Sequence, residues 1–409
     1  MKPAHFSLEK AIRPNVFALP KYVTSTSDEF QARCQILLDA NENSLGTCIA
    51  PPSKPNNTWD SSYTNELLAY AFAGTTALNR YPSALQAQLK NGIADTKREF
   101  GITSQNICLG TGAADIIDLI IRTTCRPGQD AILVPPPTFG LYQVRAALND
   151  IDVVSSPLDA SFNLQVTDVH GKLEENPNIK LIFLASPGNP TGTLISLQDI
   201  QAVLDFPGFH GYVVVDEAYI DYSNSPDKST ALNLLAEYQN IIVVQTFSKG
   251  PGLAGLRVGI AFSHPETANM LDKVQMPYTI STPTSILAQA AISSNGKQLQ
   301  KRLVRDVIAN RESLSQALAD PNITELGVGK PLGSGEANFI VLPILNRESQ
   351  THDQARAELA SQKLQEDHGI SVRLIGMMTH CDGCLRITIG TKHDNDKFVE
   401  GIRKVLEVI

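Results

Sequence analysis

Between residues 107 and 262, short apolar runs alternate with segments of helical period, and this alternation restricts the fold more than any other feature of the chain. The runs are 107–109, 131–134, 151–154, 181–185, 212–215, 241–244 and 258–262. Each is too short for a buried helix, and most are rich in Val and Ile, so each reads as a strand. Between them, residues 114–122 (apolar at Ile116, Ile117, Leu119 and Ile120) and 197–204 repeat at helical spacing. Strands that are apolar on both faces and joined through helices predict an α/β unit, a mostly parallel sheet of seven strands covered by helices.

Beyond Pro283 the pattern changes. Long helical segments at 284–293 and 298–318 are followed by isolated strands at 337–342, 371–374 and 385–389 and a closing helix at 395–408, as in a smaller α+β domain packed on the first. Before the alternation lies a weakly periodic arm with one short helix, then an apolar strand at 36–38. Residues 47–60, with Pro51, Pro52, Pro55, Asn56 and Asn57, read as an inserted loop. The expected organisation is therefore an arm (1–35), a large domain (36–283) and a small C-terminal domain (284–409).

Charge and apolar content exclude several classes. A net charge of -8 with no basic run argues against nucleic acid. The N-terminus lacks a leader's apolar core and no stretch is apolar enough for a membrane span, so the expectation is a soluble cytoplasmic protein. Of the six cysteines only Cys381 and Cys384 have ligand-like spacing, and the eight histidines form no metal motif, so no metal is expected.

In open α/β sheets ligands sit beyond the carboxyl ends of the strands, and the residues there form a set. After 241–244 comes Thr246-Phe247-Ser248-Lys249-Gly250, with Arg257 eight positions beyond the lysine. A lysine amine there can form a Schiff base with an aldehyde cofactor while Ser248 and Arg257 hold a phosphate, which reads as an anchor for pyridoxal 5′-phosphate. A basic residue in a Gly-rich turn is the alternative. After 107–109, Gly110-Thr111-Gly112-Ala113-Ala114 opens a helix with small residues, a seat for phosphate. A dinucleotide fingerprint is the rival there, but Asp115 stands where the third glycine belongs. Phe139 follows 131–134, either as a ring-stacking residue or as core. Asn189 sits in the rigid Ser186-Pro187-Gly188-Asn189-Pro190-Thr191-Gly192 turn, and Asp216 and Tyr219 follow 212–215. An acid at a buried strand end needs a cation, and a protonated pyridine nitrogen is one; a helix cap is the alternative for Asp216.

Taken together, these motifs resemble the fold-type I aminotransferases that use pyridoxal phosphate, and more closely the histidinol-phosphate aminotransferase family. The resemblance runs from about Arg13 to the C-terminus and includes Leu38-Asp39-Ala40-Asn41-Glu42-Asn43, Arg80-Tyr81-Pro82, the Ser186–Gly192 turn, Asp216-Glu217-Ala218-Tyr219, Ser248-Lys249 and Gly383-Cys384-Leu385-Arg386. It implies that Lys249 joins the cofactor and then shuttles a proton. Asp216 is implied to pair with the pyridine nitrogen, Asn189 and Tyr219 with the ring hydroxyl, and Phe139 to stack on the ring, where the family usually has tyrosine. Ala113, Ala114, Ser248 and Arg257 are implied to hold the phosphate, with Tyr81 reaching in from a second subunit of a homodimer with shared sites. Arg386 is implied to grip a substrate carboxylate, Arg373 to lie near a substrate phosphate, and Tyr22 and Asn41 to close over the substrate. The implied reaction joins L-histidinol phosphate and 2-oxoglutarate to give imidazole-acetol phosphate and L-glutamate.

The chain departs from the family pattern at Ser44, Ser83-Ala84, Ala114 and Pro251, none of which removes a catalytic atom. Alternatives are an aminotransferase for aromatic or other amino acids, a decarboxylase of a phosphorylated amino acid, and a catalytically silent cofactor-binding module.

Overall fold

The computed structural model describes residues 12–19, 34–49, 69 and 78–409. Its larger sheet contains all seven expected strands: β2 (Ile107–Gly110), β3 (Ala131–Val134), β4 (Asp152–Ser155), β5 (Ile179–Ala185), β6 (Tyr212–Asp216), β7 (Ile241–Thr246) and β8 (Gly259–Ser263). Their order is β2-β8-β7-β6-β5-β3-β4. Neighbours from β7 through β4 pair in parallel, and β8 runs antiparallel to both β7 and β2. The parallel block brings the carboxyl ends of β3, β5, β6 and β7 to one edge.

Alternate residues of these strands feed two different cores, as the two-residue period of a strand requires. Ile132, Val134, Phe183, Val214, Ile242 and Val244 pack with Ile116, Ile117 and Ile120 of α3 (Ala113–Thr124) and with Leu141, Tyr142 and Ala146 of α4 (Leu141–Leu148). Leu133, Ile182, Val213, Val215, Ile241 and Val243 pack on the other side with α2 (Ala87–Asp95), α5 (Val166–Glu175), α6 (Leu197–Leu204) and α8 (Thr282–Ile292). Each such Val, Leu or Ile, fully buried, contributes about 1.5–3 kcal/mol. The first helix, α1 (Pro14–Ala18), lies at the end of α4: Asn15 Nδ2 donates to the Ala147 and Leu148 carbonyls at 2.9 and 3.2 Å, satisfying groups that a helix end leaves unpaired. Helix α7 (Pro265–Val274) follows β8.

A second sheet has the order β1-β10-β11-β9, from β1 (Ile36–Leu38), β9 (Phe339–Pro343), β10 (Ile370–Leu374) and β11 (Cys384–Thr388). Here one expectation is corrected. β1, assigned by sequence to the large domain, pairs in parallel with β10, Ile36 opposite Ile370, and Leu38 enters the smaller unit's core. Three apolar residues carry no signal that names their partner strand; only the tertiary pairing with β10 places Leu38 in this core.

Helix α9 (Ser294–Leu318) joins the two units, with Leu299 and Leu303 in the large core and Val304, Val307, Leu314 and Leu318 in the small one. Helix α10 (Gln354–His368) was not legible from periodicity, because its buried stripe is Ala357, Ala360 and Leu364, two of them small. Asp353 caps its start by accepting the Arg356 N–H at 3.0 Å, and Gly369 closes it with φ of 64°. Helix α11 (Lys392–Val408) ends the chain.

Candidate active site

Lys249 stands just past β7, inside the edge formed by the parallel strand ends. Its Nζ donates to the carbonyls of Ala40 (3.0 Å) and Asn41 (2.9 Å), and lies 5.6 Å from the centre of the Tyr219 ring. Burial, and then the charges of Arg386 and Arg257, lower the amine from 10.5 to about 8, against the opposing pull of Glu42 and Asp216. The cradle is therefore one in which the neutral, nucleophilic amine is accessible near neutral pH.

Asp216 ends β6 and is buried. Its Oδ2 accepts from the Tyr142 hydroxyl at 2.7 Å and its Oδ1 from the Ala218 N–H at 3.1 Å. Burial raises its pKa, while those two donors and the Lys249 charge pull the other way. It caps no described helix, since the helical turn that follows, Ile220–Tyr222, has Tyr219 at its N-cap. Tyr219, also buried, accepts from Asn41 Nδ2 at 3.1 Å, which leaves its own hydroxyl proton free to donate; burial raises its pKa too.

The Gly110-Thr111-Gly112 turn leads into α3, whose first N–H groups, at Ala113 and Ala114, have no intrahelical acceptors. Arg257 crosses directly over it: a Cβ on Gly112 would fall 2.4 Å from Arg257 Nη2. Arg257 Nη1 also donates to Ser248 Oγ at 3.3 Å, and Ser248 is held by its N–H to Thr246 Oγ1 at 3.1 Å. Gly259 lets β8 run against the same turn, since a Cβ there would lie 2.5 Å from the Ala113 nitrogen. A helix N-terminus, a hydroxyl and a guanidinium thus converge on one spot, which is what a phosphate group requires. The residues fit pyridoxal phosphate: an anion cradle at one end, a buried carboxylate awaiting a cation at the other, and an amine of lowered pKa between.

Arg386 of β11 reaches the same cleft from the small unit. Its Nη1 donates to Asn189 Oδ1 and its Nη2 to the Asp39 carbonyl, both at 2.6 Å, and its Cζ lies 5.4 Å from the Phe339 ring centre. Arg373 of β10 is directly opposite Arg386 in register, so both side chains leave the same face of the sheet, and Arg373 is exposed. Like charges directly opposite on a sheet destabilise it, so this pair is a local cost that an anion bound between them would offset. Asn41, at φ of 52°, is fixed by its N–H to Thr388 Oγ1 at 3.0 Å, and Asn338 Nδ2 donates to the Asn41 carbonyl at 3.1 Å.

Phe139 is half-buried and meets Tyr142 edge-to-face, ring centres 5.7 Å apart. Tyr81 is 80% exposed and stacks on Tyr278, ring centres 4.5 Å apart. Tyr22 lies outside the described residues, as do residues 50–60 of the expected loop. Cys381 lies in the turn before β11 and Cys384 opens the strand; both are buried, which pushes their thiols to about 11 and about 12. Among the described residues no helix is long and apolar enough to cross a membrane. Sequence reasoning missed Tyr142, Thr388 and Asn338. Only Tyr142 carried a signal, being a hydroxylated aromatic three positions after Phe139 and so near it on the first turn of α4.

Comparison with known proteins agrees with this geometry. The family model described as aminotransferase class I and II matches residues 34–402. The chain therefore belongs to the class I and II aminotransferases, enzymes that depend on pyridoxal phosphate. Among relatives, the histidinol-phosphate aminotransferase of Schizosaccharomyces pombe is 36% identical over 408 residues, covering 98% of each chain. That of Saccharomyces cerevisiae is 34% identical, again covering 98% of each. The crystal structure of histidinol-phosphate aminotransferase from Sinorhizobium meliloti in complex with pyridoxal-5′-phosphate superposes with a TM-score of 0.79 at 22% identity over 99% of both chains, which shows the fold. Within the class, the chain belongs to the histidinol-phosphate aminotransferase family.

Proposed function

We propose that this enzyme transfers the amino group of L-histidinol phosphate to 2-oxoglutarate, giving imidazole-acetol phosphate and L-glutamate, in two half-reactions at one site. The observation that carries the reading is the meeting of Lys249, Asp216 and Arg386 in one cleft of a chain related along nearly its whole length to histidinol-phosphate aminotransferases. Pyridoxal phosphate, when bound, supplies an electron-withdrawing ring that stabilises negative charge beside the reacting nitrogen.

The chain's residues do the rest. Ser248, Arg257 and the N–H groups of Ala113 and Ala114 would hold the cofactor phosphate. Asp216, ionised, would keep the ring nitrogen protonated, Asn189 and Tyr219 would donate to the ring hydroxyl, and Phe139 would support the ring. Lys249, with its pKa near 8, is the amine that would hold the cofactor's aldehyde end and, once free, would move the proton at the substrate carbon. Arg386 grips the carboxylate of glutamate and 2-oxoglutarate by its fork, already braced by Asn189 and the Asp39 carbonyl. Arg373, beside it, receives the phosphate of histidinol phosphate, and Asn41 and Tyr22 close over the substrate.

A homodimer with shared sites follows in this reading, with exposed Tyr81 reaching the cofactor phosphate of the partner subunit. The arm ends at residue 35 in this reading, and the expected start of the small unit at residue 284 moves into α9, because α8 and Leu299 and Leu303 pack in the large core while Val304 and later residues pack in the small one. The test is glutamate formation from 2-oxoglutarate with histidinol phosphate and, separately, with aromatic amino acids. Turnover of histidinol phosphate no faster than that of the amino acids overturns the substrate assignment, and carbon dioxide release from a phosphorylated amino acid identifies a decarboxylase instead.

A further inference from the structure

The buried pair at the carboxylate end of the site assigns a role to a residue outside the motif set. We propose that Tyr142 is a positioning residue that holds Asp216 as an oriented carboxylate, and so sets the protonation of the cofactor's ring nitrogen. The inference rests on the reading of Asp216 as that nitrogen's partner.

The geometry leaves Tyr142 little else to do. Its ring is fully buried, stacked on Phe183 with centres 4.7 Å apart at 13°, and met edge-on by Phe139. Its hydroxyl, cut off from water, donates to Asp216 Oδ2 at 2.7 Å. Asp216 itself has no arginine or lysine in a salt bridge among the described residues; the groups that face it are Tyr142, the Ala218 N–H, the Lys249 charge and the Tyr219 phenol.

Burial favours the neutral acid. A neutral Asp216 donates its proton to an unprotonated ring nitrogen, whereas a charged one accepts from a protonated nitrogen, and only the second arrangement draws electrons from the reacting carbon. The two donors decide between these states. The Ala218 N–H comes with the backbone two residues on, but the Tyr142 hydroxyl comes from α4, across the sheet end, and fixes the direction in which Oδ2 points. Each carboxylate oxygen still has a lone pair free for the ring N–H. Because the same tyrosine ring supports Phe139, the stacking residue and the acid are braced from one point.

The test is Tyr142→Phe in the full-length enzyme loaded with cofactor carrying ¹⁵N at the ring nitrogen. Loss of one hydrogen bond to a charged group is expected to lower kcat/KM roughly ten- to a hundredfold at pH 7 and to move the acid limb of the pH profile up by about one to two pH units. The direction follows because Asp216 loses a donor that favours its charged form. The ¹⁵N resonance is expected to shift toward the unprotonated position. Incorporation of 3-fluorotyrosine at 142, a stronger donor, is expected to move the acid limb the other way, and this arm decides the matter if Tyr142→Phe fails to fold. An unchanged acid limb and ¹⁵N position, with only a lower melting temperature, reduce Tyr142 to packing and overturn the proposal. Asp216→Asn separates the underlying reading: if that variant keeps a protonated nitrogen and full turnover, Asp216 is not the ring's partner, whatever Tyr142 does.

Discussion

Replacing Lys249 with Met in protein freed of cofactor tests the electrostatics of the cleft directly, because the effect depends on pH in a way that packing does not. The amine's fall from 10.5 to about 8 corresponds to about 3 kcal/mol against folding when the group is charged. The side chain is only partly buried, and solvent screening reduces the figure to about 2 kcal/mol. Below pH 8 the amine is protonated in the folded and unfolded chains, and the whole penalty is present. Between pH 8 and 10.5 the unfolded chain keeps the proton and the folded chain has lost it, so wild-type stability rises with pH; above 10.5 the penalty is gone. Methionine has no such term. Losing the two hydrogen bonds to Ala40 and Asn41 adds an offset that is the same at every pH. Urea unfolding of both proteins at fixed protomer concentration, at pH 7, 8, 9 and 10, is expected to show wild type gaining about 2 kcal/mol on the variant across the series. Parallel curves refute the claim that burial and the two arginines lower this amine.

Two further outcomes follow from the geometry. Gly112→Ala puts a Cβ 2.4 Å from Arg257 Nη2 at a φ of 85°, so it both strains the turn and displaces the guanidinium; fluorescence titration is expected to show pyridoxal phosphate held at least tenfold more weakly, about what one lost charged hydrogen bond entails. Arg373→Gln removes the exposed member of the cross-strand arginine pair, and is expected to raise KM for histidinol phosphate by roughly tenfold to a hundredfold while leaving that for glutamate within about twofold. Equal effects on both substrates argue that Arg373 serves the carboxylate or the fold instead.

Much of the fold was legible because its signals are local. The runs at 131–134 and 181–185 and the helix at 197–204 announce themselves within a dozen residues, and the structure places them there. The candidate site was legible for a related reason: in a parallel sheet the strand ends share one edge, so Asn189, Asp216 and Lys249 had to meet once the strands were recognised. Where side-chain period was weak the reading was incomplete. Helix α10 buries mainly alanines, and β1 offers only three residues, so neither its partner nor its unit could be inferred.

The order of residues along the chain was sufficient to determine the alternation of strand and helix, the edge on which chemistry occurs, and the kinds of group found there. Tertiary structure alone decided that Arg373 faces Arg386, that Arg257 lies over Gly112, and that a tyrosine of α4 grips Asp216 from 74 positions away. The division is physical. Period and turn chemistry act over one or two turns of backbone, whereas these contacts depend on strand register and on which core a short segment fills, choices made by the packing of the whole molecule.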